Sequence, residues 1–133
     1  MGVQLTKDSI DLGIIVRDID AALRFYRDLI GLEHVADTPM GGGTMHRFLA
    51  GDSLIKIIEF DEVPDAAAAP GGLRGASGYR YWTMSVSNLA EVVDRARSQG
   101  YNVPTGPTEI RPGVTIAMIE DPDGNWVELL QQS

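Results

Sequence analysis

The stretch Glu120-Asp121-Pro122-Asp123-Gly124-Asn125-Trp126-Val127-Glu128-Leu129-Leu130 has the clearest structural signal in this chain of 133 residues. Its first part predicts a tight turn: the Asp121 carboxylate can accept from nearby backbone N–H groups, Pro122 fixes one φ angle, and Gly124 closes the turn. Residues 114–119 before the turn are apolar and β-branched, and the segment after it alternates as a strand does. The sequence therefore predicts two strands joined by this turn.

A glutamate lies among apolar residues on the strand that leaves the turn. Because side chains alternate along a strand, Trp126, Glu128 and Leu130 should share one face. A carboxylate between tryptophan and leucine does not suit a packed core, since buried charge is costly. We therefore interpret this face as a candidate site.

The composition limits the classes of function. The length suits one domain with a real core, the apolar runs are too short to span a bilayer, and the N-terminus shows no signal-peptide pattern. The absence of cysteine excludes disulfides and thiolate chemistry, and leaves the cytoplasm as the default expectation. The net charge of −8, without a basic cluster, argues against nucleic acid or an anionic membrane as a partner.

The chain reads as two similar halves, in which Val16 and Val86 occupy corresponding positions 70 residues apart. Each half opens with an alternating strand and a helix start, at Asp18 and at Asn88, where Asn88 with Glu91 resembles a capping box. Apolar residues then follow at helical spacing: Ile19, Ala22, Leu23, Tyr26, Leu29 and Ile30 in the first half, and Leu89, Val92, Val93 and Ala96 in the second.

A glycine, Gly31 or Gly100, should end each helix, and three strands follow it. The predicted strands are residues 32–37, 44–50 and 54–60 in the first half, and residues 101–103, 114–119 and 125–130 in the second. The sequence thus predicts a single α+β domain over residues 1–133. It consists of two βαβββ modules, residues 10–61 and 80–131, joined by a linker at residues 62–79.

The sheet faces opposite the helices should form one concave surface shared by both halves. On the first strands of each half these positions are Asp11, Gly13 and Ile15, and Tyr81, Thr83 and Ser85; on the last strands they are Leu54, Lys56 and Ile58, and Trp126, Glu128 and Leu130. The repeat pairs Asp11 with Tyr81 and Lys56 with Glu128, so four polar groups are expected to converge on an apolar-walled cup.

On these residues the chain resembles the vicinal oxygen chelate superfamily of glyoxalases, bleomycin resistance proteins and ring-cleaving dioxygenases. The resemblance covers residues 10–131. Its most specific parts are Val16-Arg17-Asp18-Ile19, Leu23-Arg24-Phe25-Tyr26-Arg27-Asp28-Leu29-Ile30-Gly31-Leu32, Glu120-Asp121-Pro122-Asp123-Gly124 and Val127-Glu128-Leu129. It implies an eight-stranded, cup-shaped mixed sheet with helices on its outer face, in a protein that is often a homodimer binding a small molecule.

Metal-using members of that superfamily carry two histidines and two carboxylates, one ligand on the first and last strand of each half. The corresponding positions here hold Asp11, Lys56, Tyr81 and Glu128, and only Glu128 keeps the usual ligand type. Lys56 cannot ligate while protonated, because an ammonium has no lone pair, and tyrosine is a poor ligand unless it is ionised. We therefore expect no cofactor, and a divalent metal, if one is bound, would use Asp11 and Glu128.

The leading hypothesis is a metal-independent enzyme that catalyses isomerisation, epimerisation or elimination on a small, partly hydrophobic carbonyl substrate. Glu128 or Asp11 would move a proton, while Lys56 and Tyr81 would stabilise negative charge on oxygen. Substrate-binding roles are expected for Trp126, Ile15, Thr83, Ser85, His46, Leu54 and Ile58.

Two alternatives and two ambiguities of register stay open. The chain could bind and sequester a drug or metabolite without chemistry, with Trp126 as a stacking surface. It could also be a conventional metal enzyme that uses Asp11, Glu128 and His46 with water. Apolar neighbours on both sides of Lys56 leave its face open by one residue, and only one of His46 and Arg47 can point into the cup.

Overall fold

A computed structural model describes residues 2–133 and contains two compact units, Met1–Pro64 and Asp65–Ser133. The first unit contains β1 (Leu12–Ile15), α1 (Ile19–Leu23) with a π-helical continuation (Arg24–Leu29), β2 (Glu33–Met40), β3 (Gly43–Ala50) and β4 (Ser53–Phe60). The second contains a short 3₁₀ turn (Gly72–Arg74), β5 (Tyr81–Ser85), α2 (Leu89–Ser98), β6 (Thr105–Arg111), β7 (Val114–Glu120) and β8 (Trp126–Gln132). The predicted α+β fold of two βαβββ modules is confirmed.

Each unit has one four-stranded mixed sheet, in the order β1-β4-β3-β2 in the first and β5-β8-β7-β6 in the second. The first strand of each unit pairs in parallel with the last, and the other pairs are antiparallel. This order makes Gly13 a neighbour of Lys56 and Thr83 a neighbour of Glu128. Residues far apart in sequence therefore meet on one sheet face in each unit.

The first helix begins as the sequence predicts and then widens. The Asp18 carboxylate accepts the Ala21 N–H at 3.2 Å, which satisfies one of the free donors of the first turn. Further along, the Ile30 N–H donates to the carbonyl of Phe25, five residues earlier, at 2.9 Å. The wider turn buries Phe25 completely beside Tyr26, with the two rings edge to face. The predicted stripe left out Phe25, although Phe25 lies three residues after Ala22 and four before Leu29, which is ordinary helical spacing.

The second helix confirms its predicted stripe, because Leu89, Val92, Val93 and Ala96 are all buried. Its predicted capping box is wrong, since the Asn88 side chain donates to the Glu91 carboxylate at 3.3 Å and caps no backbone N–H. The Leu89 N–H donates instead to the Gln131 side chain, which comes from β8. Both helices are followed by a glycine with positive φ, +82° at Gly31 and +85° at Gly100, as predicted.

The strand predicted at residues 101–103 is absent, and β6 begins only at Thr105. The Tyr101 N–H still donates to the Ala96 carbonyl at the end of the helix, and the Asn102 carbonyl accepts from the Glu120 N–H. The Asn102 bond to β7 thus continues toward the β6–β7 pair, but residues 101–103 form no regular strand. Within residues 2–133, no helix is both long enough and apolar enough to cross a membrane.

The turn between β7 and β8 is held by the side chain of Asp121, which is only 4% exposed. Its Oδ1 accepts the N–H groups of Asp123 and Asn125 at 2.9 and 2.8 Å, and its Oδ2 accepts the Asn125 side-chain amide at 3.1 Å. The Gly124 N–H closes the turn on the Asp121 carbonyl at 3.0 Å. The predicted Asp-Pro-Asp-Gly turn is confirmed.

Asp121→Ala should lower the free energy of unfolding by roughly 2–4 kcal/mol, because two backbone donors then lose their acceptor in a nearly buried place. Asp121→Asn keeps an acceptor oxygen and should lose only about 1 kcal/mol. Urea unfolding followed by circular dichroism measures both values. An alanine variant as stable as the unmodified chain would contradict this role of the carboxylate.

Candidate functional site

Lys56 lies on the face of the first sheet that is not covered by the helix. Its neighbours Ile55 and Ile57 are buried, and α1 contacts β4, whereas Lys56 between them is partly exposed. Lys56 of β4 pairs with Gly13 of β1 on one side and with Arg47 of β3 on the other. We call this surface the first open face. It is the face on which the sequence placed Lys56.

The placement of His46 was predicted wrongly. It pairs with Ile57 and is 9% exposed, so it lies on the helix-covered face, and Arg47 takes the place beside Lys56. Only one of two successive strand residues can reach a given face, and on β3 Arg47 is the residue that reaches the face of Lys56. The Arg47 Nε is buried and has no hydrogen-bond partner within residues 2–133.

The carboxylate of Asp11 is bound by a lysine that the sequence did not single out. Its Oδ1 lies 2.6 Å from Lys7 Nζ and accepts the Leu54 N–H at 3.3 Å. The Lys7 hydrogen bond is the main reason why the pKa of Asp11 falls below its usual value, against an opposing effect of desolvation, and the charge of Lys56 contributes least. The four-residue spacing from Lys7 to Asp11 was the only signal available for this pair.

The apolar residues predicted for the first unit differ in their exposure. Ile15 is 42% exposed, whereas Ile58, its partner in the parallel pair, is only 8% exposed. Leu54 is partly exposed beside Asp11. Ile15 and Leu54 can thus contact a ligand directly, whereas Ile58 is too deeply buried to do so.

The second sheet has a comparable uncovered surface, which we call the second open face. Tyr81, Thr83 and Ser85 of β5 are exposed, and Trp126 and Glu128 of β8 are partly exposed in register with the first two. The alternate residues of β8 are buried, and α2 contacts β7 and β8. The predicted division of this unit into a helix side and an open side is therefore correct.

A short hydrogen bond joins two predicted site residues on the second open face. The Thr83 hydroxyl donates to Glu128 Oε1 at 2.6 Å, and the two residues are directly paired across β5 and β8. Tyr81, two residues before Thr83, keeps 48% of its surface exposed. One carboxylate is thus held in a fixed orientation near an accessible phenol.

The indole of Trp126 is fixed from two sides. Its Nε1 donates to Glu120 Oε1 at 3.3 Å, and the backbone of Gly72 packs so closely against its six-membered ring that a side chain at Gly72 would overlap it. Arg80 holds this segment, with its Nε donating to the Gly72 carbonyl at 2.7 Å. The predicted linker therefore contains a defined turn that positions Trp126.

The donor chemistry of the superfamily's four ligand positions does not fit a divalent metal. The first unit offers Lys56, a cation without a lone pair, and Asp11, whose Oδ1 is already bound by Lys7. The second unit offers the Tyr81 phenol and Glu128, whose Oε1 accepts from Thr83. Neither pair contains an imidazole, the neutral ligand that such sites commonly use.

A second polar cluster lies on the helix-covered side of the first sheet and was missed by sequence reasoning. Asp37 Oδ1 lies 2.5 Å from His34 Nε2 and 2.8 Å from His46 Nδ1. Burial alone would raise the pKa of Asp37, but the hydrogen bonds to the two histidines outweigh it and lower that pKa overall. Alternation placed His34 and Asp37 on opposite faces of a regular strand, so no periodic signal pointed to this cluster.

Comparison with known proteins gives a consistent picture. The family model described as Glyoxalase/Bleomycin resistance protein/Dioxygenase superfamily matches residues 9–129. A probable lactoylglutathione lyase from Synechocystis sp. is 31% identical over 124 residues, which cover 90% of this chain and 92% of that protein.

Two solved structures share the fold at lower identity. A glyoxalase family protein from Bacillus cereus superimposes with a TM-score of 0.82 at 19% identity, covering 98% of this chain and 96% of that one. TnmS3, an antibiotic binding protein from a Streptomyces species, gives a TM-score of 0.71 at 22% identity over 98% of this chain and 100% of that one. These two likenesses concern the fold alone. With the match over residues 9–129, this chain belongs to the glyoxalase/bleomycin resistance protein/dioxygenase superfamily.

Proposed function

We propose that this chain is a glyoxalase-type enzyme of the lyase or isomerase class. It moves a proton at the carbon beside a carbonyl group and does so without a divalent metal at the superfamily's usual ligand positions. The Thr83–Glu128 pair is the observation that carries this proposal, because it presents an oriented carboxylate on an open sheet face. The relative named probable lactoylglutathione lyase supports the reaction class.

Glu128 has the features of a general base. Thr83 occupies Oε1, which leaves Oε2 as the oxygen that meets the C–H bond of the substrate. The flanking positions on the same face are apolar, since Met118 pairs with Glu128 across β7 and β8 and Leu130 is the next residue on that side. The fixed position of the carboxylate on the open face then gives it its efficiency.

Tyr81 supplies the second group that this chemistry needs. Removal of the proton places negative charge on the carbonyl oxygen, and a hydroxyl donor aimed at that oxygen stabilises it. Tyr81 shares the second open face with Glu128 and is 48% exposed, so its phenol can reach a bound substrate. The fixed indole of Trp126, its partner in register, provides an apolar wall beside it.

The first open face suits a negatively charged group. Arg47 and Lys56 stand directly opposite each other on β3 and β4, and Asp11, the carboxylate on which the charge of Lys56 acts, is already bound by Lys7. The Arg47 Nε also lacks a hydrogen-bond partner within the described part of the chain. A ligand that carries a carboxylate or a similar anion would satisfy both groups.

A ligand-binding protein without chemistry is the second candidate. The rigid placement of Trp126 between Gly72 and Glu120 favours a stacking surface for an aromatic ligand, and such a surface needs no base. The two functions differ in what becomes of the ligand. An unchanged ligand recovered after incubation with stoichiometric protein would favour binding alone.

Glu128→Gln should reduce proton removal by at least about 10²-fold while KM changes little, because the amide keeps the size and the Thr83 contact but cannot accept a proton as the carboxylate does. Deuterium incorporation beside the carbonyl group, followed by NMR in heavy water over a panel of small ketones and aldehydes, measures this step. Glu109→Gln, at an exposed carboxylate of β6, is the matched control. Full turnover in Glu128→Gln would contradict the assignment.

Lys56→Gln and Arg47→Gln should each weaken binding of carboxylate-bearing ligands by about tenfold, since each removes one charge-assisted contact. Neutral ligands of the same size should bind to the variants as they bind to the unmodified chain. Calorimetric titration compares the two ligand types, with Arg111→Gln on β6 as a control for net charge. Equal losses for charged and neutral ligands would argue against an anion site.

A further inference from the structure

We propose that His34, Asp37 and His46 form a binding site for a divalent transition-metal cation on the helix-covered side of the first sheet. The site goes beyond the proposed function and does not depend on it, because it lies on the opposite face from Lys56.

The three ligand atoms converge on one small space. His34 Nε2, Asp37 Oδ1 and His46 Nδ1 all lie within 4.8 Å of one another, and Asp37 Oδ1 is the atom that both imidazoles approach. Each N···O contact is bridged by a proton that a cation can replace. Two imidazoles and one carboxylate form a ligand set that transition metals use when a further position is left for water.

A β-bulge in β2 is what brings these residues to one face. The register between β2 and β3 shifts between His34 and Ala36, so His34 pairs with Phe48 while Asp37 pairs with His46. In a regular strand, residues three apart point to opposite faces, and His34 would then face away from Asp37. Bulges commonly re-aim side chains at functional positions.

The surroundings hold both imidazoles as metal-binding histidines are held. His46 Nε2, the ring nitrogen away from the cluster, lies 3.2 Å from Glu59 Oε1, which is the carboxylate contact that orients a ligating histidine. The His34 ring stacks on the fully buried ring of Phe48, with centroids 4.5 Å apart. These two contacts restrain both rings, and the ligand atoms move apart as a cation replaces the protons between them.

The cluster is accessible and lies at an edge of the sheet. The side chains of Asp37, His34 and His46 are 51%, 26% and 11% exposed, so a cation can enter from solvent and keep bound water. Because β2 is the edge strand, a metal here would clip it to β3, with Glu59 of β4 as the outer support.

The composition allows metal binding at this cluster to be distinguished from metal binding elsewhere on the chain. The chain has two histidines, both in this cluster, and no cysteine. Zn²⁺, Co²⁺ and Ni²⁺ prefer imidazole donors, whereas Mg²⁺ prefers oxygen. Selective binding of Zn²⁺ over Mg²⁺ would therefore point to this cluster, which holds both imidazoles of the chain.

Calorimetric titration of the full, chelator-treated chain with Zn²⁺ should give one site per chain and no comparable site for Mg²⁺. His34→Gln and His46→Gln should each weaken Zn²⁺ binding by more than tenfold, and Glu59→Gln by roughly tenfold through loss of the outer contact. Glu109→Gln should bind as the unmodified chain does. Zn²⁺ binding that is absent, or that survives in the double histidine variant, would overturn the site.

A second measurement covers the case in which a histidine variant does not fold. Imidazole NMR of the unmodified chain should show Zn²⁺-dependent shifts of both histidine rings, with saturation at one equivalent. Unchanged ring signals would mean that the cluster is a hydrogen-bonded network only, and the proposal would be wrong.

Discussion

The parallel pairing of the first and last strand in each unit is the constraint on which the rest of the structure depends. It joins β1 to β4 and β5 to β8, and so places residues from the two ends of a module side by side. Together with strict alternation, this pairing decides which side chains the helices bury and which stay open. The neighbours Thr83 and Glu128, like Gly13 and Lys56, follow directly from it.

Much of this arrangement could be predicted from the sequence, because periodicity and turn chemistry are local signals. Asp121 and Gly124 predicted the turn, the stripe through Val93 predicted the second helix, and alternation placed Glu128 on the open side. Prediction from the sequence fails where the backbone departs from a regular period. The π-helical hydrogen bond from the Ile30 N–H to the Phe25 carbonyl, for example, has no periodic signal in the sequence.

Contacts between side chains could be predicted least well. Lys7, rather than Lys56, binds Asp11, and one extra residue in β2 moves His34 onto the face of Asp37. Both contacts depend on exact backbone positions that composition and spacing do not encode. The resemblance places Lys56 where metal-using members of the superfamily carry a ligand, and spacing alone does not say what its ammonium contacts.

We propose that Glu128, oriented by Thr83, removes a proton from the substrate. A double-mutant cycle on deuterium incorporation, with Thr83→Val, Glu128→Gln and their combination, tests it most directly. Thr83→Val should slow exchange when Glu128 is present and have no further effect once Glu128 is replaced. Independent, additive losses would show that Thr83 does not act through Glu128, and would contradict the account.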